Sequence, residues 1–266
     1  MIGKKIRLNR IVNQDTNHTC IVPMDHGIFS GYLCGFKNMP GQIKKIIKGG
    51  ANAIILNKGM FNTLENDMVS IDGNYIMHMS ASVNISKTAN IKNIVSSLEC
   101  ALKSGAVGVS VQVNIGTEED DKMLTDLGMI SDQCFSWGMP LLAMMYINNP
   151  EMDQYDADNI AHLVKIAEDL GADIVKINCP SDPNALQNIC DYSNIPVVIS
   201  GGPKINIAEI LNLISFAISK GISGVAIGRN IFDSENPELM TMAISNLIHN
   251  KFTLNQALSL VNADLG

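Results

Sequence analysis

The sequence predicts an α/β protein in which eight parallel strands alternate with helices and close into a (β/α)₈ barrel. Three observations carry that expectation. Eight short apolar runs recur, their starts 23 to 34 residues apart, which suits successive strand–helix units. Segments between several of them have helical periodicity and stop at a glycine just before the next run. The length, 266 residues, is that of one such barrel as a single domain over 1–266. A doubly wound open sheet would share the alternation, but length and strand count favour the closed form.

In chain order the runs are "TCIVPMDHG" (19–27), "ANAIILNKG" (51–59), "YIMHMSAS" (75–82), "AVGVSVQVNIG" (106–116), "PLLAMMY" (140–146), "ADIVKIN" (172–178), "IPVVISGG" (195–202) and "GVAIGRN" (224–230). Between the third and fourth, residues 90–105 place Ile91, Ile94, Val95, Leu98 and Leu102 on one helical face and end at Lys103 and Gly105. Glu118, Glu119, Asp120 and Asp121 open the next helix, where acids complement the dipole. Residues 156–171 place Ile160, Leu163, Val164 and Ala167 together, with Asp156 or Asp158 as the start and Gly171 as the stop. Residues 206–221 repeat the design from Asn206 to Gly221.

Composition excludes several classes. Hydrophobic residues make 46% and charged residues 17%, ordinary for a globular protein, and the 15 methionines read as core filling. A net charge of −7 offers no basic face for nucleic acid or anionic membrane. An anionic substrate must be bound by local groups. The six cysteines show no CxxC spacing and no histidine cluster, so reduced thiols in a cytoplasmic protein are expected, with no metal site. No run approaches the ~20 apolar residues of a membrane span.

In either α/β architecture ligands sit at the C-terminal ends of the strands. Titratable groups gather there: Asp25 and His26 after the first run, Lys58 after the second, His78 in the third, Tyr146 ending the fifth, Lys176 and Asn178 in the sixth, Lys204 after the seventh and Arg229 in the eighth. Alternation puts Ile174, Lys176 and Asn178 on one face and Val175 and Ile177 on the other, so Lys176 points into the barrel. Burial disfavours a charged amine. A neutral amine attacks a ketone or aldehyde to form a Schiff base. The following proton transfers need an acid and a base, and Tyr146 and Asp25 are of the right types. A purely structural lysine–carboxylate pair is the other reading of Lys176. Gly201, Gly202, Gly228 and Arg229 suit a phosphate, through backbone N–H groups and a guanidinium. Further candidate substrate contacts are His26, Gly27, Ile28, Phe29, Ile147, Asn148, Asn178 and Lys204. His18, His162 and His249 read as ordinary surface or helix residues.

The stretches "IVPMDHG", "GGANAIILNKG", "DLGMISDQCFSWGMPLLAMMY", "GADIVKI", "SGGPK" and "GVAIGRNIF" resemble the archaeal-type class I aldolases, the family that includes archaeal fructose-bisphosphate aldolase, and most of all its 2-amino-3,7-dideoxy-D-threo-hept-6-ulosonate synthase branch. The resemblance implies a TIM barrel and a Schiff base on Lys176, with Tyr146 as proton donor, Asp25 as proton acceptor and no metal or other cofactor. It implies a homo-oligomer, often a decamer, and a place in aromatic amino acid biosynthesis. In that branch a three-carbon unit from a sugar phosphate is transferred to aspartate semialdehyde; a sister activity joins dihydroxyacetone phosphate to the same aldehyde. Three loops depart from the branch. Ile147, Asn148 and Asn149 stand where Pro-Arg-Gly is expected, which removes an anion contact. The segment from Ile177 to Asp182 and the turn Ala81-Ser82-Val83 also differ. A non-covalent phosphosugar isomerase or decarboxylase using Asp25 and Lys58, and a non-catalytic phosphosugar sensor, are the competing readings.

Overall fold

The structure is a computed structural model and describes residues 1–262, apart from the Cys34 side chain. Eight strands form a closed parallel barrel: β1 (Thr19–Pro23), β2 (Ala53–Asn57), β3 (Tyr75–His78), β4 (Gly108–Ile115), β5 (Leu141–Ile147), β6 (Ile174–Ile177), β7 (Val197–Ser200) and β8 (Gly224–Ala226). Neighbours in sequence pair in space, and β8 closes on β1 with Thr19 opposite Gly224. Seven of the eight strands lie within the runs expected from sequence, and β5 extends one residue past its run, to Ile147.

Alternation along each strand divides the core in two. Ile21, Ile55, Ile76, Leu142, Met144, Ile174, Val198 and Ala226 fill the barrel interior. Val22, Leu56, Met77, Val111, Met145, Val175, Ile177 and Ile199 face outward and pack against the helices. An N-terminal helix, Ile2–Ile11, closes the bottom by placing Ile11, 1% exposed, in the interior cluster. The sequence pattern gave no hint of this plug, because only one of that helix's residues is buried.

The connecting helices start and stop as their caps dictate. Asp156 accepts from Asn159 N–H to start Ala157–Asp169, and Asn206 accepts from Ala208 N–H to start Ile207–Ser219. Gly105, Gly171 and Gly221 follow helix ends with φ of 77°, 85° and 94°. In the acidic stretch, the Asp120 carboxylate accepts from Gly116 N–H and Thr117 N–H, both at 2.7 Å, and the helix runs Asp120–Trp137.

One expectation is overturned. Residues 90–105 are not one helix. Asn93–Ile94 pairs antiparallel with Ser80–Ala81, and the helix is only Leu98–Lys103. The β-branched Ile94 and Val95 suit a strand. Ser97 then accepts from Cys100 N–H as the N-cap, so the helix cannot begin earlier. This short hairpin folds over the C-terminal mouth of the barrel. His249 also differs from expectation: it is 8% exposed, with Nδ1 2.9 Å from Thr16 Oγ1 and Nε2 2.9 Å from Asn52 Oδ1. Cys20, Cys100, Cys134, Cys179 and Cys190 are free thiols; the reading of Cys34 lies outside the described residues. Among the described residues no helix is long and apolar enough to cross a membrane.

Candidate active site

Two hollows open side by side at the C-terminal mouth. The first, about 270 Å³, lies over the ends of β1 to β6 and is lined by Asp25, His78, Lys92, Gln112, Asn114, Tyr146 and Lys176 among others. The second, about 190 Å³, lies over β6 to β8 and is lined by Asn178, Ser200, Gly201, Gly202, Gly228 and Arg229. Tyr146, His26 and Lys176 line both. Lys176, 8% exposed, therefore stands where the two hollows meet.

The strands set these positions. Met144 and Lys176 are register partners across β5 and β6, so Tyr146, two residues beyond Met144, rises from the same interior face. Asp25 follows β1. Met24 N–H donates to Ile55 O at 2.8 Å, which prolongs the pairing, and Asn57 Nδ2 donates to Asp25 O at 2.7 Å. Its carboxylate is held between two imidazoles, His26 Nδ1 at 3.3 Å and His78 Nδ1 at 3.9 Å. His78 Nδ1 is 2.9 Å from Ser110 Oγ, which fixes that ring. The edge of His26 meets the Phe232 ring at 5.3 Å.

Burial alone would raise the Asp25 carboxyl. The charges of His78, His26 and Lys176, with its own backbone N–H, together outweigh burial and hold it below the ordinary carboxylate value. Burial lowers both His26 and His78 against the pull of Asp25. Asp25 is thus favoured as the ionised group, between two imidazoles whose charged form burial disfavours.

The second hollow is shaped by the glycine turn after β7 and by Arg229. Arg229 Nη2 donates to Gly202 O at 2.9 Å and ties the β8 loop to the β7 loop. Asn230, 4% exposed, donates to Gly201 O and Pro203 O and accepts from Ile205 N–H. This asparagine holds the glycine turn in shape; the sequence had placed it at a strand end without a role. Ser200 Oγ donates to Asn178 Oδ1 at 2.9 Å.

Of the further candidate contacts, Ile28, Phe29 and Asn148 line the first hollow. Three do not reach either hollow. Gly27 begins the short helix Gly27–Ser30. Ile147 is 6% exposed and faces the helices, on the opposite side of β5 from Tyr146. Lys204 turns away and donates to Asp233 O at 2.6 Å, lining a separate groove. Lys58 is exposed and donates to Val95 O. Sequence reasoning named Ser82 only as part of a departing turn, and it missed Lys92, Gln112 and Asn114. Ser82 and Lys92 lie in and around the hairpin that was read as turn and helix. Among the described residues no group of three or more His, Cys, Asp or Glu is placed to hold a metal ion.

A parallel barrel with a buried lysine, a carboxylate and a phenol converging at its C-terminal mouth, beside a hollow lined by glycines and an arginine, defines the class of aldolases that work through a lysine. The model of the DeoC/LacD family aldolases matches residues 19–234, and the chain belongs to that family. It is 35% identical over 266 residues to the 2-amino-4,5-dihydroxy-6-oxo-7-(phosphonooxy)heptanoate synthase of Streptomyces griseus, covering 99% of this chain and 97% of that one. It is 33% identical to the 2-amino-3,7-dideoxy-D-threo-hept-6-ulosonate synthase of Halobacterium salinarum, covering 93% and 92%. The fold matches that of an archaeal fructose 1,6-bisphosphate aldolase with a TM-score of 0.85 at 21% identity, over 93% of this chain and 99% of that one.

Proposed function

We propose that this chain is a Schiff-base aldolase that carries a three-carbon ketone unit on Lys176 and adds it to L-aspartate semialdehyde. The observation that carries the reading is the place of Lys176, buried at the junction of the glycine- and arginine-lined hollow and a larger polar one. A ketose phosphate with its phosphate on Arg229 and the Gly201–Gly202 turn sets its carbonyl over that amine. The amine adds to the carbonyl carbon, and the carbinolamine loses water to give an iminium. As Asp25 takes the proton of the hydroxyl on the β-carbon, the bond between the α- and β-carbons breaks, its electron pair flows into the iminium, and an aldehyde departs to leave an enamine on Lys176. The enamine carbon attacks the aldehyde of the acceptor, and water then releases the product and regenerates the amine. Tyr146 gives protons to the departing or forming oxygens and Asp25 takes them.

Both synthase names describe a seven-carbon 2-amino product, which supports the acceptor that the resemblance implies, aspartate semialdehyde, and the two products differ in their hydroxyl and phosphate groups. The reading adopted has a deoxy-diketohexose phosphate as donor, which makes the enzyme a transaldolase. Dihydroxyacetone phosphate as donor is the second reading. It is favoured by the name of the Streptomyces relative, whose product keeps a phosphonooxy group on carbon 7. The purified protein is offered aspartate semialdehyde with each donor in turn, and with fructose bisphosphate as a third case. A seven-carbon product without phosphate supports the transaldolase; the phosphorylated product supports the second reading; no product from any donor overturns both. The same family likeness supports a cytoplasmic homo-oligomer, a decamer by resemblance, feeding aromatic amino acid biosynthesis; mass in solution tests the assembly.

A further inference from the structure

The first hollow contains a second buried lysine that the scheme above leaves unused. Lys92 precedes the hairpin strand Asn93–Ile94 and is 7% exposed. Its Nζ donates to Ser82 Oγ at 2.6 Å and lies 4.6 Å from the centroid of the Phe29 ring. Among the described residues no carboxylate comes within ion-pair distance of it. A buried ammonium without an acid partner is costly, and two of its three N–H bonds have no protein acceptor. Ser82 is itself anchored, donating to Ala89 O at 2.6 Å, so the cation is held in place rather than free to swing out. The hollow's polar lining also holds Asp25 and His78, beside the neutral Gln112 and Asn114, with Gln112 Nε2 donating to Asn114 Oδ1 at 2.9 Å and Asn114 Nδ2 to Asn90 O at 2.6 Å.

We infer that Lys92 is the anchor for the carboxylate of the acceptor aldehyde, and so the residue that makes the enzyme select an acidic acceptor. The inference rests on the aldolase reading and names the acceptor side of the same site. The mouth of the barrel then has two anion sites with Lys176 between them: Arg229 and the glycine turn for the phosphate of the donor, Lys92 and Ser82 for the acid of the acceptor. One cation on a serine hydroxyl, among amides, suits a single negative charge; the dianionic phosphate has the guanidinium and backbone N–H groups opposite. Phe29 covers the ammonium and screens it from water.

The test uses the full chain with a fixed ketose-phosphate donor and three acceptors: succinic semialdehyde, butanal and glyceraldehyde 3-phosphate. Wild type should prefer the acid to butanal. In Lys92→Met that preference, as the ratio of kcat/KM values, should collapse about 10- to 100-fold, mostly through KM. Lys92→Arg should restore most of it. Borohydride should still trap donor on Lys176 in Lys92→Met, which shows that the variant is folded and competent in the first half-reaction. A preference that survives Lys92→Met overturns the inference, as does an equal loss on acid and butanal. A loss confined to glyceraldehyde 3-phosphate also overturns it, by making the site a second phosphate site. A wild type that traps no donor overturns the aldolase reading itself and is distinguished from these outcomes by the trapping control.

Discussion

At the scale of single residues the site is governed by which charges are left without partners. Asp25 is surrounded by His26, His78 and Lys176 and stays ionised despite its burial. Lys92 lacks such a setting. Burial pushes its ammonium down from 10.5 to about 8, with Asp25 opposing more weakly. The binding form is the charged one, so its contribution to holding an acid is present below about pH 8 and lost above it. KM for succinic semialdehyde should therefore rise as pH passes through about 8 in wild type. It should stay flat there in Lys92→Arg, whose guanidinium keeps its charge; the same rise in that variant would show that another group titrates. The stability sign is the reverse of an ordinary ion pair. The folded value lies below the unfolded one, so between about 8 and 10.5 the unfolded chain binds more protons, and stability rises with pH across that window. Lys92 is a cost to the fold at neutral pH, which is what a residue kept for binding looks like.

At the scale of elements the site depends on how closely β8 approaches β1. A Cβ added at Gly228 would stand 2.6 Å from Pro23 O and 2.8 Å from His26 Cε1. Its φ of −101° suits any residue, so the need for glycine there is purely steric. Gly228→Ala should push the end of β1, with Asp25 and His26, away from the hollow lined by Arg229. We expect a loss of about 1–3 kcal/mol in denaturant unfolding and a raised KM for the phosphorylated donor. Gly105 is the contrast: its φ is 77°, with nothing within 4 Å of the added Cβ. Gly105→Ala should cost about 1–2 kcal/mol of backbone strain and leave that KM alone. Equal effects of the two on KM would contradict the steric account. The hairpin of Ser80–Ala81 and Asn93–Ile94 is the element the sequence hid. Ile91, Ile94, Val95, Leu98 and Leu102 satisfy a helical period, but the outcome was decided by Ser97 as a cap and by pairing to a strand thirteen residues earlier. Two adjacent serines after β-branched residues are the signal that could have placed the break.

At the scale of the whole molecule a closed barrel brings side chains from distant parts of the chain to one mouth. Asp25, Tyr146, Lys176 and Arg229 lie on β1, β5, β6 and β8 or just beyond them. Their meeting follows from strand period and barrel closure, and for that reason it was legible: period two assigned Lys176 and Tyr146 to the interior and Val175 and Ile177 to the helices. The contributions that follow no period were not legible. Lys92 enters from a loop, Asn230 acts on the backbone of the neighbouring β7 loop, and Lys204 leaves the site for Asp233 O. In a chain of net charge −7 the described lining of this mouth gathers Lys92, Lys176 and Arg229 around Asp25, so the proposed anion sites rest on local groups set against the overall field. The claim on which the rest depends is that Lys176 becomes covalently bound to a ketone. Borohydride reduction of the wild-type protein in the presence of a ketose-phosphate donor, followed by peptide mass mapping, tests it most directly. The account predicts one reduced adduct, on the peptide that carries Lys176, and none in Lys176→Met. An adduct on Lys92 instead, or turnover of the donor with no adduct on Lys176, would contradict it.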